Sequence, residues 1–136
     1  MTRLMDIPII HQISAIEGVI KELPQVELPL LHFRIPGVYV RVMEIPKGTV
    51  LTGKIHNYDC ISIIAKGVIS VNSIEGPKTL TAGDVSITPA GVKRVGFALE
   101  DTVFITVHHC DKANLAEIED YLISETYEDF EKRLLS

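Results

Sequence analysis

Apolar and polar positions change rhythm twice along this chain. Between Ser14 and Pro24 the apolar residues Ile16, Val19, Ile20 and Leu23 fall on one helical face. Ser14 and Glu17 stand in capping-box spacing, and Pro24 ends the run. The pattern predicts a short helix. From Leu30 to Cys110 it gives way to short runs rich in β-branched and aromatic residues: Val38–Ile45, Thr49–Ile55, Cys60–Ala65, Val68–Asn72, Asp84–Thr88 and Thr102–His108. Gly and Pro punctuate them at Pro36-Gly37, Pro46–Gly48, Gly67, Gly76-Pro77, Gly83 and Pro89–Gly91. Closely spaced short strands point to a sandwich or closed barrel, not a parallel α/β sheet. Beyond residue 110 the helical rhythm returns. Asn114 and Glu117 form a cap ahead of Leu115, Ile118 and Leu122, and Thr126 precedes Tyr127, Phe130 and Leu134. Both tail helices are expected to lay their apolar faces on the barrel.

The 136 residues suit one domain, divided into an N-terminal helix and arm (1–29), a β-barrel (30–110) and an acidic helical tail (111–136). With 46% hydrophobic and 23% charged residues, the composition is that of a folded globule. No apolar run is long enough to span a bilayer, and Met1–Pro8 shows no signal-peptide core, so no membrane role is expected. Cys60 and Cys110 do not make a disulfide framework and suit a reducing cytoplasm. The net charge of −5 resides in the tail, where eight acidic residues outnumber three basic ones; ten of each cancel in residues 1–110. A neutral body with an acidic tail offers no basic stripe for a nucleic acid.

Residues 46–98 carry a more particular pattern. Gly48 is followed by Lys54-Ile55-His56, then Cys60 and Gly67; farther on come Gly83, Pro89-Ala90-Gly91, Arg94 and Ala98. In turn residues and spacing this resembles the two motifs of the cupin superfamily. The resemblance implies a mainly β fold, a double-stranded β-helix or jelly roll, with a short N-terminal helix and C-terminal helices. His56-Asn57-Tyr58-Asp59 and the short acidic tail further resemble small cupins of bacteriophage genomes. That implies a protein at work in a host cytoplasm.

In metal-binding cupins the two motifs supply three His and one Glu to a divalent ion. The corresponding positions here are Lys54, His56, Cys60 and Arg94, so only His56 keeps a ligand. Lys and Arg offer no lone pair at neutral pH and repel a cation. No metal or other cofactor is therefore expected. The alternative is a rebuilt zinc site from His56, Cys60 and His109, with His108 and Cys110 also at hand; strand alternation admits only one of His108 and His109 to the interior.

Cations turned into a barrel need a counter-charge, because burying them alone is costly. Asp59 and Glu44 are internal candidates, and an anionic ligand is the external one. The expected function is binding of an anionic small molecule, a nucleotide or nucleotide-sugar, by Lys54, His56, Arg94, Tyr58, Arg41 and His109. Arg41 shares a face with Tyr39 and Met43 if Val38–Ile45 is a regular strand. Tyr39, Tyr58, Phe97 and Phe104 are candidates for stacking or for core. In a phage protein such a site would suit capture of a host signalling nucleotide. Two alternatives stand beside this. One is a metal-independent sugar-nucleotide epimerase or isomerase with His56 as base, Asp59 orienting it, and Lys54 or Tyr58 as acid. The other is a structural component with no ligand. Because cupins commonly pair through strands or sheet faces, a homodimer is expected, with Val26–Arg34 as an exchanged or edge strand.

Overall fold

A computed structural model describes residues 28–73 and 75–135. The helix expected over Ser14–Leu23 lies outside the described residues. The β-rich centre supplies the strands β1 (Leu30–Ile35), β2 (Val38–Ile45), β3 (Val50–Thr52), β4 (Ile55–His56), β5 (Cys60–Lys66), β6 (Val68–Val71), β7 (Lys78–Thr81), β8 (Val85–Thr88), β9 (Val95–Ala98) and β10 (Thr102–His109). Helix α1 (Leu115–Leu122), strand β11 (Ile123–Ser124) and helix α2 (Tyr127–Leu135) follow. All pairings are antiparallel, in sheets ordered β1-β2-β10-β5-β8, β3-β9-β6-β7 and β11-β4. This is a jelly roll, as expected.

The two larger sheets meet over a core of Ile45, Ile64, Ile69, Val71, Leu80 and Ala98, with Leu28, Met43, Leu51 and Phe104 against it. Each fully buried Ile side chain contributes about 1.5–3 kcal/mol of hydrophobic stabilisation. Gly67 shows why a glycine is required at one corner. Its φ is +89°, and a Cβ there would overlap the Asp101 carbonyl oxygen and lie 2.8 Å from the Thr102 Cα.

The run Thr49–Ile55 does not form one strand. It breaks at Gly53, whose N–H donates to the Arg94 carbonyl, and continues as β4 in a different sheet. The tail helices form at the expected caps, with Asn114 Oδ1 accepting from Glu117 N–H at 2.9 Å and Thr126 Oγ1 from Asp129 N–H at 3.1 Å. Ile118 and Leu122 pack on Tyr39 and Cys110. Phe130 is buried against Gly91, whose φ of +84° leaves its Cα open to the ring. Unforeseen was β11, which links the helices and pairs with β4 through Ile123↔His56 and Ser124↔Ile55.

The outer face of the five-stranded sheet is apolar from edge to edge. Register aligns Phe33, Val40, Val107, Ile61 and Ile87 in one row and Leu31, Val42, Ile105, Ile63 and Val85 in the next. Phe33, Val85 and Ile87 are 56–66% exposed. Of the segment Val26–Arg34, Leu30–Arg34 lies in β1, an edge strand hydrogen-bonded to β2 of its own chain, and Val26 and Glu27 lie outside the described residues. No helix among the described residues is long and apolar enough to cross a membrane.

Candidate functional site

Alternation along the strands decides which side chains enter the barrel. Tyr39, Arg41 and Met43 on β2 stand opposite His108, Thr106 and Phe104 on β10, and Thr106 in turn stands opposite Ser62 on β5. The inner face thus carries a polar row, Arg41–Thr106–Ser62, beside an apolar row, Met43–Phe104–Ile64. Between this sheet and the facing one lies a cavity of about 80 Å³. Its floor is Met43, Ile45, Leu51, Ile69, Val71 and Phe104, and its polar end is Arg41, His56, Ser62, Thr88, Arg94 and Thr106.

Arg94 comes from the facing sheet and is held there by Asn72. Asn72 Oδ1 accepts from Val95 N–H at 2.7 Å, its Nδ2 donates to the Lys93 carbonyl at 3.3 Å, and its carbonyl accepts from Arg94 Nη1 at 3.1 Å. The Asn72 side chain thereby fixes the segment, and its main-chain carbonyl anchors the guanidinium. Burial lowers the Arg94 pKa, partly offset by Cys60, but guanidinium basicity keeps the group charged. Sequence reasoning missed Asn72, although Asn in a break between β-rich runs is a known device for bonding neighbouring backbone.

His56 occupies β4, where the pairing with β11 and the Gly91 N–H donating to its carbonyl fix the backbone. Its Nδ1 lies 3.5 Å from the Cys60 Sγ, and its ring meets His108 edge-on with centroids 5.6 Å apart. Burial pushes the His56 pKa down to about 4, and the guanidiniums of Arg41 and Arg94 push in the same direction. His108 is also lowered to about 4, by burial first, then by His56 and Arg41. Both imidazoles are therefore neutral at pH 7. Burial raises the Cys60 thiol, against the pull of the Ser62 and Thr88 hydroxyls, so Cys60 is a thiol and not a nucleophilic thiolate.

Of the residues singled out in the sequence, Lys54, His56, Arg41 and Arg94 line the cavity together. Lys54 sits at its rim, where Nζ donates to Glu125 Oε1 at 2.6 Å. Tyr58 and His109 do not join them. Tyr58 is exposed and stacks on Tyr121, with ring centroids 4.7 Å apart. His109 points outward, because the alternation that buries His108 exposes its neighbour. Nor do the aromatic residues make a common stacking surface: Tyr39 is core, Phe104 is cavity floor, and Phe97 is exposed. The two carboxylates considered as counter-charges also lie elsewhere. Asp59 Oδ1 accepts from Ala90 N–H at 2.7 Å, and Glu44 is exposed near Lys66 and Asp101.

A divalent metal, which the jelly-roll motifs would imply, does not fit these donors. At the four motif positions stand an ion-paired ammonium, one imidazole, a protonated thiol and a guanidinium, with Arg41 facing the same space. Of the zinc alternative, His109 faces away from His56 and Cys60, while His108 lies beside His56. Among the described residues no three His, Cys, Asp or Glu side chains gather as a ligand set.

No protein-family model matches the chain, and no curated protein does. Solved structures do. KdgF from Halomonas sp. superimposes with a TM-score of 0.55 at 19% identity, over 66% of this chain and 87% of that one. A cupin domain from Bordetella pertussis Tohama I gives 0.50 at 21% identity, over 67% and 99%. A cupin superfamily protein from Desulfitobacterium hafniense DCB-2 gives 0.51 at 14% identity, over 67% and 86%. The chain has the cupin fold. Within it, Arg41, His56 and Arg94 face the cavity between the two sheets, Lys54 lines it while paired with Glu125, and β11 pairs with the strand that carries His56. The fold leaves the function open, and the cavity's own chemistry is what distinguishes this chain.

Proposed function

We propose that this cupin-fold chain holds an anionic small molecule in the cavity, with Arg41 and Arg94 supplying the positive charge. The observation that carries the reading is that two guanidiniums face one largely apolar space that no carboxylate lines among the described residues. Removing a charge from water without a partner is unfavourable by several kcal/mol, so an anion there satisfies both arginines at once. Neutral His56 and the hydroxyls of Ser62, Thr88 and Thr106 line the same space, with Ser62 and Thr88 bonded to each other at 2.9 Å and Thr106 to His108 Nε2 at 2.9 Å. Lys54 contributes less, since Glu125 already balances it. A nucleotide would place its anionic group among the arginines and leave sugar and base beyond the mouth; capture of a host signalling nucleotide is one use for such a site.

Catalysis with His56 as base has weaker support. Among the described residues no carboxylate bonds the ring, its neighbour is Cys60, and a group lowered to about 4 is a feeble base. The test is thermal unfolding in a panel of anions at constant ionic strength. Millimolar anion should raise Tm in the native protein and not in the Arg41→Met/Arg94→Met variant. No response in the native protein, or an equal response in both, overturns the reading in favour of a ligand-free scaffold.

We also propose that a second copy of the chain covers the apolar outer face, giving a homodimer. Five strands about 4.8 Å apart present on the order of 400 Å² of apolar surface, the size of the largest patch a monomer ordinarily leaves bare, and such patches often mark interaction sites. Native mass spectrometry should show a dimer that Ile87→Lys dissociates. A monomer at micromolar concentration refutes it.

A further inference from the structure

We infer that the ligand of this cavity is a short organic acid: a carboxylate held between Arg41 and Arg94, with a compact hydrocarbon part on the floor of Met43, Leu51, Val71 and Phe104. The inference rests on the anion-binding reading and narrows it. Three features of the cavity select among anions. Its volume of about 80 Å³ is roughly half the ~150 Å³ of a cavity that takes benzene, which leaves room for about two to four carbons. Bare phosphate or sulfate carries nothing to cover the apolar floor, so half the lining would face water or a void. A nucleotide would leave its sugar and base beyond the mouth, so it too would leave the apolar floor uncovered.

The polar end also suits a planar anion. Guanidinium forks match a carboxylate's two oxygens, and Arg41 and Arg94 line the same cavity with His56. Nη1 of Arg94 is directed to the Asn72 carbonyl, which leaves its remaining donors for one further acceptor group. Removing a monoanion from water is also less unfavourable than removing a phosphate dianion. With His56 and His108 neutral, the cavity presents two fixed positive charges and a donor set that needs no proton exchange on binding.

The test is calorimetric titration of the full chain at pH 7.5 with acetate, propionate, butyrate, hexanoate, inorganic phosphate and adenosine monophosphate. Affinity should rise about fourfold for each methylene from acetate to butyrate, then fall at hexanoate when the space is full. Butyrate should bind at least tenfold more tightly than phosphate. Val71→Ile, which adds one carbon to the floor, should weaken butyrate several-fold and leave acetate unchanged. Arg94→Lys should weaken every carboxylate. An affinity that is flat along the series, or phosphate or the nucleotide binding more tightly than butyrate, overturns the ligand class while leaving the anion site standing. No binding by any of the six overturns both. Unfolding curves of each variant show whether the fold has survived the change.

Discussion

Lowering the pH from 7 to 4.5 loads protons onto His56 and His108 in the unfolded chain before it loads them onto the folded one. In the barrel both imidazoles are lowered from about 6.5 to about 4, so the folded state resists protonation over that interval. Stability is therefore full above pH 6.5, falls as pH drops toward 4, and levels off below. At pH 4.5, two units below the unfolded pKa, His56 alone removes about 2.7 kcal/mol. The two rings do not add in full, because each disfavours a proton on the other. Together they remove about 3–5 kcal/mol, against a typical total of about 5–15. Urea unfolding at pH 7.5, 6.5, 5.5 and 4.5 measures the loss. Repeating it with His56→Asn/His108→Gln separates these rings from the carboxylates that titrate nearby, and imidazole NMR follows each ring directly. The native protein should lose about 3–5 kcal/mol more than the variant across the interval. Parallel profiles, or a His56 ring that titrates near 6.5, would refute the buried pair beneath the arginines.

Gly67→Ala should cost about 3–5 kcal/mol by urea unfolding, combining a left-handed backbone with overlap on Asp101 and Thr102. Gly48→Ala, at φ +85° with nothing within 4 Å, should cost only about 1–2. Asn72→Ala should lower stability by about 1–3 kcal/mol in urea unfolding, because it removes the side-chain bonds to Val95 N–H and the Lys93 carbonyl while leaving the main-chain acceptor of Arg94 in place; an unchanged midpoint would show that the segment is fixed by other contacts. Phe130→Ala should lower stability by about 3–4 kcal/mol and unfold α2 first in hydrogen exchange, since its ring holds the helix to Gly91. A double-mutant cycle on Lys54 and Glu125, 51% and 71% exposed, should give a coupling of only about 0.2–1 kcal/mol.

Much of the barrel was legible because its punctuation is steric. The glycines at 37, 48, 67, 76, 83 and 91, all read as turn residues, all have positive φ. The strands at 38–45 and 60–66 follow β-branched runs that nothing interrupts. Lys78–Thr81 and Val95–Ala98 were not singled out: each is four residues long, too short for alternation to show above the neighbouring turns. Ile123–Ser124 was invisible for a different reason, since two residues acquire strand geometry only from the partner, β4, that meets them. At the site, Arg41 was legible from the phase of β2. The choice of His108 over His109 depends on the register of β10, and one residue of slip reverses it. Glu125 as partner of Lys54 could not be read at all, because 71 positions separate them and exposed charges leave no periodic trace.

The strand that closes the small sheet has a consequence for synthesis. His56 receives its backbone partner from Ile123, and Gly91 its covering ring from Phe130. Both partners leave the ribosome after every other wall of the cavity has been made. A chain cut short before Ile123 would therefore contain every residue that lines the cavity yet lack the backbone pairing of β4, and His56 would lose the strand that fixes its position.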